Sequence, residues 1–328
     1  MLAGGTGGAK LARGMLDVVG ADDLVVIANT GDDIDIYGAH VSPDPDLVSF
    51  WLGDLIDERG WGLAGDTFAV MDALRALGHN IWFNLGDRDL AWCLERRRLT
   101  QDHELNPTQA LARLNEAIGV RAAVLPVSDD PLRTWVCTAE RGWQPFQELM
   151  VKDGARGTIE AVQFRARDEA DLSPQMWSLA PDVTLPEEVT EYDERAAPSE
   201  EAIAALRDAR AIIVGPSNPV ISIWPILHVL DDALDGLNAP VVCVSPVVGG
   251  EIVKGPTAAF LTAYGQPVSA EGAVAFYERV HPGLLGGMVA DEPVVSLPVL
   301  QVDTAMPDPA ARARVAEQTL AFALSLER

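Results

Sequence analysis

Lysine is nearly missing from this chain. Only Lys10, Lys152 and Lys254 occur among 24 basic residues, against 49 acidic ones, so the 328 residues carry a formal net charge of −25. A nucleic-acid groove or an anionic membrane surface needs a strong positive field, and neither partner is expected here. A local basic pocket for a phosphorylated metabolite is still compatible with that charge. Cysteine is just as scarce: Cys93, Cys137 and Cys243 lie far apart with no Cys-x-x-Cys pair. That excludes a disulfide framework and a structural zinc site. The five histidines (His40, His79, His103, His228 and His281) show no metal-ligand spacing. No apolar run approaches the roughly 18 residues that span a bilayer, and no charged-then-apolar leader opens the chain. A cytoplasmic location is the expectation. Internal repeats and low-complexity tracts are absent as well.

Hydrophobic residues make up 48% of the sequence, ample for a buried core. The length corresponds to roughly two domains, or to one large α/β unit with an appendage. Strand and helix signals alternate at both ends. Leu24–Ala28 is an apolar, β-branched run of the kind a buried parallel strand requires, as are Ala211–Val214 and Val241–Val244. Helical periodicity follows over about 9–19, 47–56, 66–77, 87–99, 200–208 and near 257, 270 and 310, and Asn106-Pro107 opens one more helix. Short strands are expected at 122–126, 134–138 and 159–164. Residues 165–200 are rich in Asp, Glu and Pro without a period. The expected fold is α/β, a doubly wound, mainly parallel Rossmann-like sheet with an inserted smaller α+β subdomain. Residues 1–125 and 199–328 would form the core, and 126–198 the insertion.

In such sheets ligands bind beyond the carboxyl ends of the strands. The loops there read Gly4-Gly5-Thr6-Gly7-Gly8, Asn29–Asp33, Gly215–Pro219 and Ser245–Gly250. Their short side chains suit close approach of backbone N–H groups to an anion. The first loop is neither a P-loop, since Leu11 follows Lys10, nor a dinucleotide fingerprint, since the last glycine position falls on Lys10. It is expected to cradle phosphate, with Lys10 as a nearby point charge. Asp32-Asp33 and Asp44-Pro45-Asp46 can together hold Mg²⁺, which takes carboxylate and phosphate oxygens. Leu85-Gly86-Asp87-Arg88-Asp89 opens a helix, where Asp87 caps and Arg88 presents a fork to a phosphate or ring oxygen. Ser217 and Asn218 offer polar contacts from a proline-stiffened loop. No Gly-x-Ser-x-Gly elbow makes Ser217 a nucleophile. Trp51, Trp61 and Trp82 lie near the acidic loops and are candidates to face a flat aromatic substrate.

Together these segments resemble the 2-phospho-L-lactate transferase family of coenzyme F420 biosynthesis. The matching strings are LAGGTGGAKLARG (Leu2–Gly14), NTGDD (Asn29–Asp33), SPDPDLV (Ser42–Val48), RGWGLAGDTF (Arg59–Phe68), LGDRDLA (Leu85–Ala91), PVSDDPLRTWV (Pro126–Val136), GPSNPVISIWPIL (Gly215–Leu227) and VSPVVGGEIVKGP (Val244–Pro256). The resemblance implies transfer of a phospho-three-carbon acid (2-phospholactate, phosphoenolpyruvate or 3-phosphoglycerate) from a guanosine diphosphate-linked donor to the ribityl hydroxyl of the deazaflavin Fo. GMP leaves and Mg²⁺ is required. Phosphoryl chemistry of this kind needs positioning and charge neutralisation more than a covalent nucleophile. On this resemblance Asp32, Asp33 and Asp44 are the expected metal and catalytic residues. Asp46 and Arg88 would bind the acceptor, Gly4, Gly5, Thr6, Gly7, Gly8, Lys10, Ser217 and Asn218 the donor, and Asp87 and Asn29 are further substrate-binding residues to expect. A homodimer is among the partners to expect. Two departures stand out: the family usually carries more strand residues before its glycine loop, and it usually reads Pro-Asp-Leu-Asp-Thr where this chain has Pro43-Asp44-Pro45-Asp46-Leu47. A related family of nucleotide-sugar-binding regulators shares the first loop but tends to carry Asp-Asp-Gly-Gly-Ser after the second strand; here Ile34-Asp35-Ile36 follows Asp33.

Overall fold

The computed structural model describes residues 1–165, 196–252 and 255–326. Seven strands make the main sheet: β1 (Leu2–Ala3), β2 (Val25–Ala28), β3 (Ala123–Pro126), β4 (Ile212–Val214), β5 (Val241–Val244), β6 (Gly287–Ala290) and β7 (Val299–Gln301). Their spatial order is β7-β6-β5-β4-β1-β2-β3, and every pairing is parallel. The order reverses between β1 and β4, which is the switch point of a doubly wound sheet. Side chains alternate between two cores. Val241 and Cys243 of β5 enter one, and Val242 and Val244 enter the other. Burial on both faces explains why these strands read as unbroken apolar runs.

Helices α1 (Gly5–Val19), α2 (Pro43–Leu52), α3 (Asp87–Gln101), α4 (Trp224–Leu234) and α5 (Pro309–Ser325) carry or brace the loops of interest. Leu11 and Met15 of α1 share one core with Val315 and Ala316 of α5. The two helices approach so closely that a Cβ on Gly14 would lie 2.5 Å from the Arg312 carbonyl oxygen. Ile226, Leu227 and Leu230 of α4 fill the opposite face. A separate antiparallel sheet has Arg133–Thr138 between Gly142–Pro145 and Ile159–Arg165. Its Val136, Ile159 and Val162 join the same core as α4, so apolar packing runs on from the main sheet without a break. Most of the acidic, proline-rich stretch expected as an excursion, residues 166–195, lies outside the described residues.

Three local expectations need correction, and each matters for the site. Helix α1 starts at Gly5 rather than after the glycines. Helix α2 starts at Pro43 rather than near 47, so Asp44 and Asp46 occupy its first turn instead of preceding it. Proline fits there because first-turn N–H groups have no intrahelical partner to lose. After Asp33, where no strand is expected from the sequence, the chain forms a hairpin, Ile34–Ile36 against Ala39–Val41. Its two-residue turn, Tyr37-Gly38, has positive φ at both positions, as the twist of tight hairpins demands.

Candidate active site

The carboxyl ends of β1, β2, β4 and β5 open onto a cleft of about 770 Å³, within the range of small-molecule sites. Gly4, Gly5, Thr6, Gly7 and Lys10 form one wall, Ser217, Asn218, Ser222 and Ser245 another, and Asp32 and Asp44 the floor. The glycines earn their places for different reasons. Gly5 has a φ of +63°, which a side chain resists. At Gly7 a Cβ would sit 2.1 Å from the Pro216 carbonyl oxygen, so only glycine lets the first and third loops close on each other. The N–H groups of Thr6 and Gly7, in the first turn of α1, have no acceptor within the helix, and both residues face the cleft.

Asn29 organises the floor. It is fully buried, and its Nδ2 donates to Asp44 Oδ2 at 2.9 Å and Asp32 Oδ1 at 3.3 Å. Its Oδ1 accepts from the Gly31 N–H at 2.8 Å. Asn29, expected to bind substrate, is therefore placed as a buried brace for the carboxylates. Asp44 Oδ1 also accepts from the Gly5 N–H at 2.6 Å, tying α2 to the start of α1. Burial raises the Asp44 pKa to about 6, against the opposing bonds from Asn29 and Gly5. Burial, with the Asp44 charge beside it, likewise pushes Asp32 well above the usual carboxylate range. Two buried carboxylates that repel one another beside a helix N-terminus are a donor set suited to a hard divalent cation.

Asp33 does not share that floor. Its oxygens accept from Ser42 Oγ at 2.7 Å and meet His40 Nε2 at 3.2 Å, and it lines a smaller cavity of about 180 Å³ on the far side of the loop. Of the three expected carboxylates, Asp32 and Asp44 line the cleft, while Asp33, whose charge still raises the pKa of both, is held by Ser42 and His40. The hairpin is the reason, because its register sets His40 opposite Asp35 and within reach of Asp33. Burial opposes the charged imidazole, but hydrogen bonds from His40 to Asp33 and Asp35 outweigh it and raise the His40 pKa to about 9.

Asp46 and Arg88 take different positions around α3. Asp46 is buried, accepting from Trp92 Nε1 at 2.8 Å and paired through both oxygens with Arg96. It does not line the cleft. Burial raises its pKa, with Arg96 opposing. Among the described residues, a group of three whose ligand atoms could jointly hold an ion is Asp46, Asp89 and Cys93, but its Asp46 is already ion-paired with the Arg96 guanidinium. Arg88 is exposed at the start of α3, where its Nη1 donates to the Ala64 carbonyl at 2.9 Å. Asp87 caps a different helix from the expected one: it accepts from the N–H groups of Ala69 and Val70, at the start of the Ala69–Ala76 helix. The cap of α3 is Asp66, which accepts from the N–H groups of Arg88 and Asp89 at 2.9 and 3.1 Å.

Ser217 Oγ accepts from the Gly4 N–H at 3.2 Å. Asn218 caps a π-helical turn, Pro219–Ile223, by accepting from Val220 and Ile221. Its Nδ2 is buried with no hydrogen-bond partner among the described residues, as is Thr304 Oγ1, and both residues line the cleft. Such orphaned groups mark places a ligand would satisfy. Sequence reasoning missed Arg96, His40, Asp66 and Thr304. Arg96 sits in an Arg-Arg-Arg run that looks solvated, and the partners of the others are remote or set by a short hairpin. Of the three tryptophans, Trp61 lines the cleft; Trp51 is buried, and Trp82 lies under Lys152 at 4.3 Å.

The sequence profile described as 2-phospho-L-lactate transferase CofD matches residues 1–308. A 2-phospho-L-lactate transferase from Methanocaldococcus jannaschii is 32% identical over 99% of this chain and 98% of its own length. A phosphoenolpyruvate transferase from Kitasatospora aureofaciens is 36% identical over 88% of this chain and 84% of its own. Among solved structures, a upf0052 family protein from Bacillus halodurans superposes with a TM-score of 0.61 over 97% of each chain at 14% identity. That likeness speaks to the fold alone. Among the described residues no helix is long and apolar enough to cross a membrane.

Proposed function

The chain belongs to the 2-phospho-L-lactate transferase family, and from that premise we propose that it transfers a phospho-three-carbon acid from a guanosine diphosphate-linked donor to the ribityl hydroxyl of the deazaflavin Fo, in coenzyme F420 biosynthesis. The hydroxyl oxygen bonds to the phosphorus that bears the acid. The bond from that phosphorus to the bridging oxygen breaks, GMP leaves with the bridging oxygen, and the hydroxyl proton is released. The observation that carries this reading is the Asp32–Asp44 pair joined by Asn29 beneath the first turn of α1.

The donor diphosphate would lie against the Thr6 and Gly7 N–H groups, with Lys10 beside it and the unsatisfied Asn218 amide and Thr304 hydroxyl toward the nucleoside. Asp32 and Asp44 would hold Mg²⁺. When bound, that ion offsets the charge growing on the leaving phosphate. It would also offset the repulsion a polyanionic donor meets from a protein of net charge −25. Arg88 supplies the exposed contact for Fo. Asp46, beneath the same helix, fixes through Trp92 and Arg96 the face of α3 that presents it.

The test is one reaction series with Fo and each of the three candidate donors, read by mass spectrometry of the product and by GMP release. One donor giving a phosphodiester-linked Fo product, with GMP in equal amount, is the expected result. No product with any of the three, from protein that still binds guanine nucleotides, would remove the transfer assignment.

A further inference from the structure

We propose that Trp61 is the platform on which the flat ring of the acceptor stacks. Few large apolar side chains are exposed among the described residues, and two of them, Trp61 at 52% and Val151 at 44%, line the cleft of about 770 Å³. An exposed tryptophan within a ligand-sized cleft is informative where a scattered one is not. The indole is held in place by a local relay. Asp57 Oδ1 accepts from Arg59 Nε and from the Arg59 N–H, and the Arg59 guanidinium lies 4.4 Å from the Trp61 ring centroid. Stacking a cation on one face orients the ring without burying it.

The backbone makes this relay part of the site. Residues 55–64 fold as a tight hairpin, with Ala64 N–H donating to Leu55, Asp57 N–H to Gly62, and an antiparallel bridge between Ile56 and Leu63. Gly60 and Gly62, on either side of Trp61, have φ values of +84° and +71°. Side-chain-bearing residues resist that conformation, so the tip is built to turn the tryptophan outward. At one end the hairpin touches the glycine wall, where Thr6 Oγ1 donates to the Gly60 carbonyl. At the other its Ala64 carbonyl holds the Arg88 guanidinium. Trp61 therefore belongs to the segment that joins the glycine wall to the arginine assigned to the acceptor. A tricyclic deazaflavin is the substrate with a ring large and flat enough to use an indole face fully. This rests on the transferase reading above.

The experiment is equilibrium binding of Fo, followed by its own fluorescence, to wild type, Trp61→Ala and Trp61→Phe, with GDP binding measured in parallel. Trp61→Ala is expected to weaken Fo binding by about ten-fold, the loss of one aromatic stacking contact. Trp61→Phe should recover most of it, and GDP affinity should be the same in all three. Wild-type Fo affinity in Trp61→Ala would overturn the platform and leave the transferase reading intact. Loss of GDP binding in place of Fo binding would overturn it too, by assigning the indole to the donor. Failure of the wild type to bind Fo at all would remove both.

Discussion

Asp44 and Asp46 stand in one turn of α2, both buried, and their surroundings are opposites. Asp44 receives hydrogen bonds from neutral groups, Asn29 and Gly5, and lies beside Asp32 on the floor of the cleft. Asp46 is enclosed, paired with Arg96 and capped by the Trp92 indole. The difference separates two uses of a buried carboxylate. One is left with like charge beside it, a cost that folding alone does not return and that a bound cation would offset. The other is satisfied internally, and what it returns is the docking of α3 on α2.

Removing the guanidinium should break this contrast most visibly. Arg96→Met leaves Asp46 buried and unpaired, and the melt should show a loss of about 3–5 kcal/mol. Adding Asp46→Asn to that variant should restore part of it. A stability like wild type in the single variant would mean that the two carboxylates are equivalent after all. On the other side of the turn, Asp44→Asn keeps shape and removes one repelling charge. Its turnover should fall by about 10²-fold, about 2.7 kcal/mol of transition-state stabilisation, while its melting temperature holds or rises. A melt that collapses would place Asp44 with Asp46 as a structural tie.

Asp89 sharpens the comparison because it is half-buried and, among the described residues, has no ion pair. Burial, followed by the charges of Asp46 and Asp66, raises its pKa to about 7. A folded-state pKa above the unfolded value means that the folded protein holds the extra proton, so stability falls as pH rises from about 4 through about 7. Asp89→Asn should flatten that part of the stability–pH curve and stabilise the protein at pH 8 by on the order of 1 kcal/mol. An unchanged slope in urea melts across that range would assign the titration to another group. The smallest effect is expected at Asp66, which caps α3 from another segment. Asp66→Ala should cost about 1 kcal/mol and weaken Fo binding through Arg88. A change in stability with no change in Fo affinity would detach the cap from the site.

Much of this was legible along the chain. The strand–helix rhythm announced a parallel sheet, and the helix that Asn106-Pro107 opens is there, with Asn106 and Gln109 adding a capping box. The loops beyond the strand ends were found because each lies directly after an apolar run. The roles within those loops were less legible. Asp33 and Asp44 looked like a pair, yet the short hairpin at 34–41 turns Asp33 to His40. Asp87 looked like the cap of its own helix, yet Asp66 and Asp87 each cap a helix that begins elsewhere in the chain.

Beyond the resemblance carried by its motif strings, what the sequence determined by itself is whatever depends on local spacing and burial: the two-faced sheet, the glycine corner and the helix start at Pro107. Those features follow from residue periodicity and backbone allowance, which act over a few positions. Only the tertiary structure decided which carboxylates face one another, because that choice depends on contacts across long sequence separations. Asn29 touches the Ile221 carbonyl, and Arg96 reaches back to Asp46 across the groove between two helices. Charge is read from a sequence one residue at a time, but its energy depends on what stands opposite, and the fold alone supplies that neighbour.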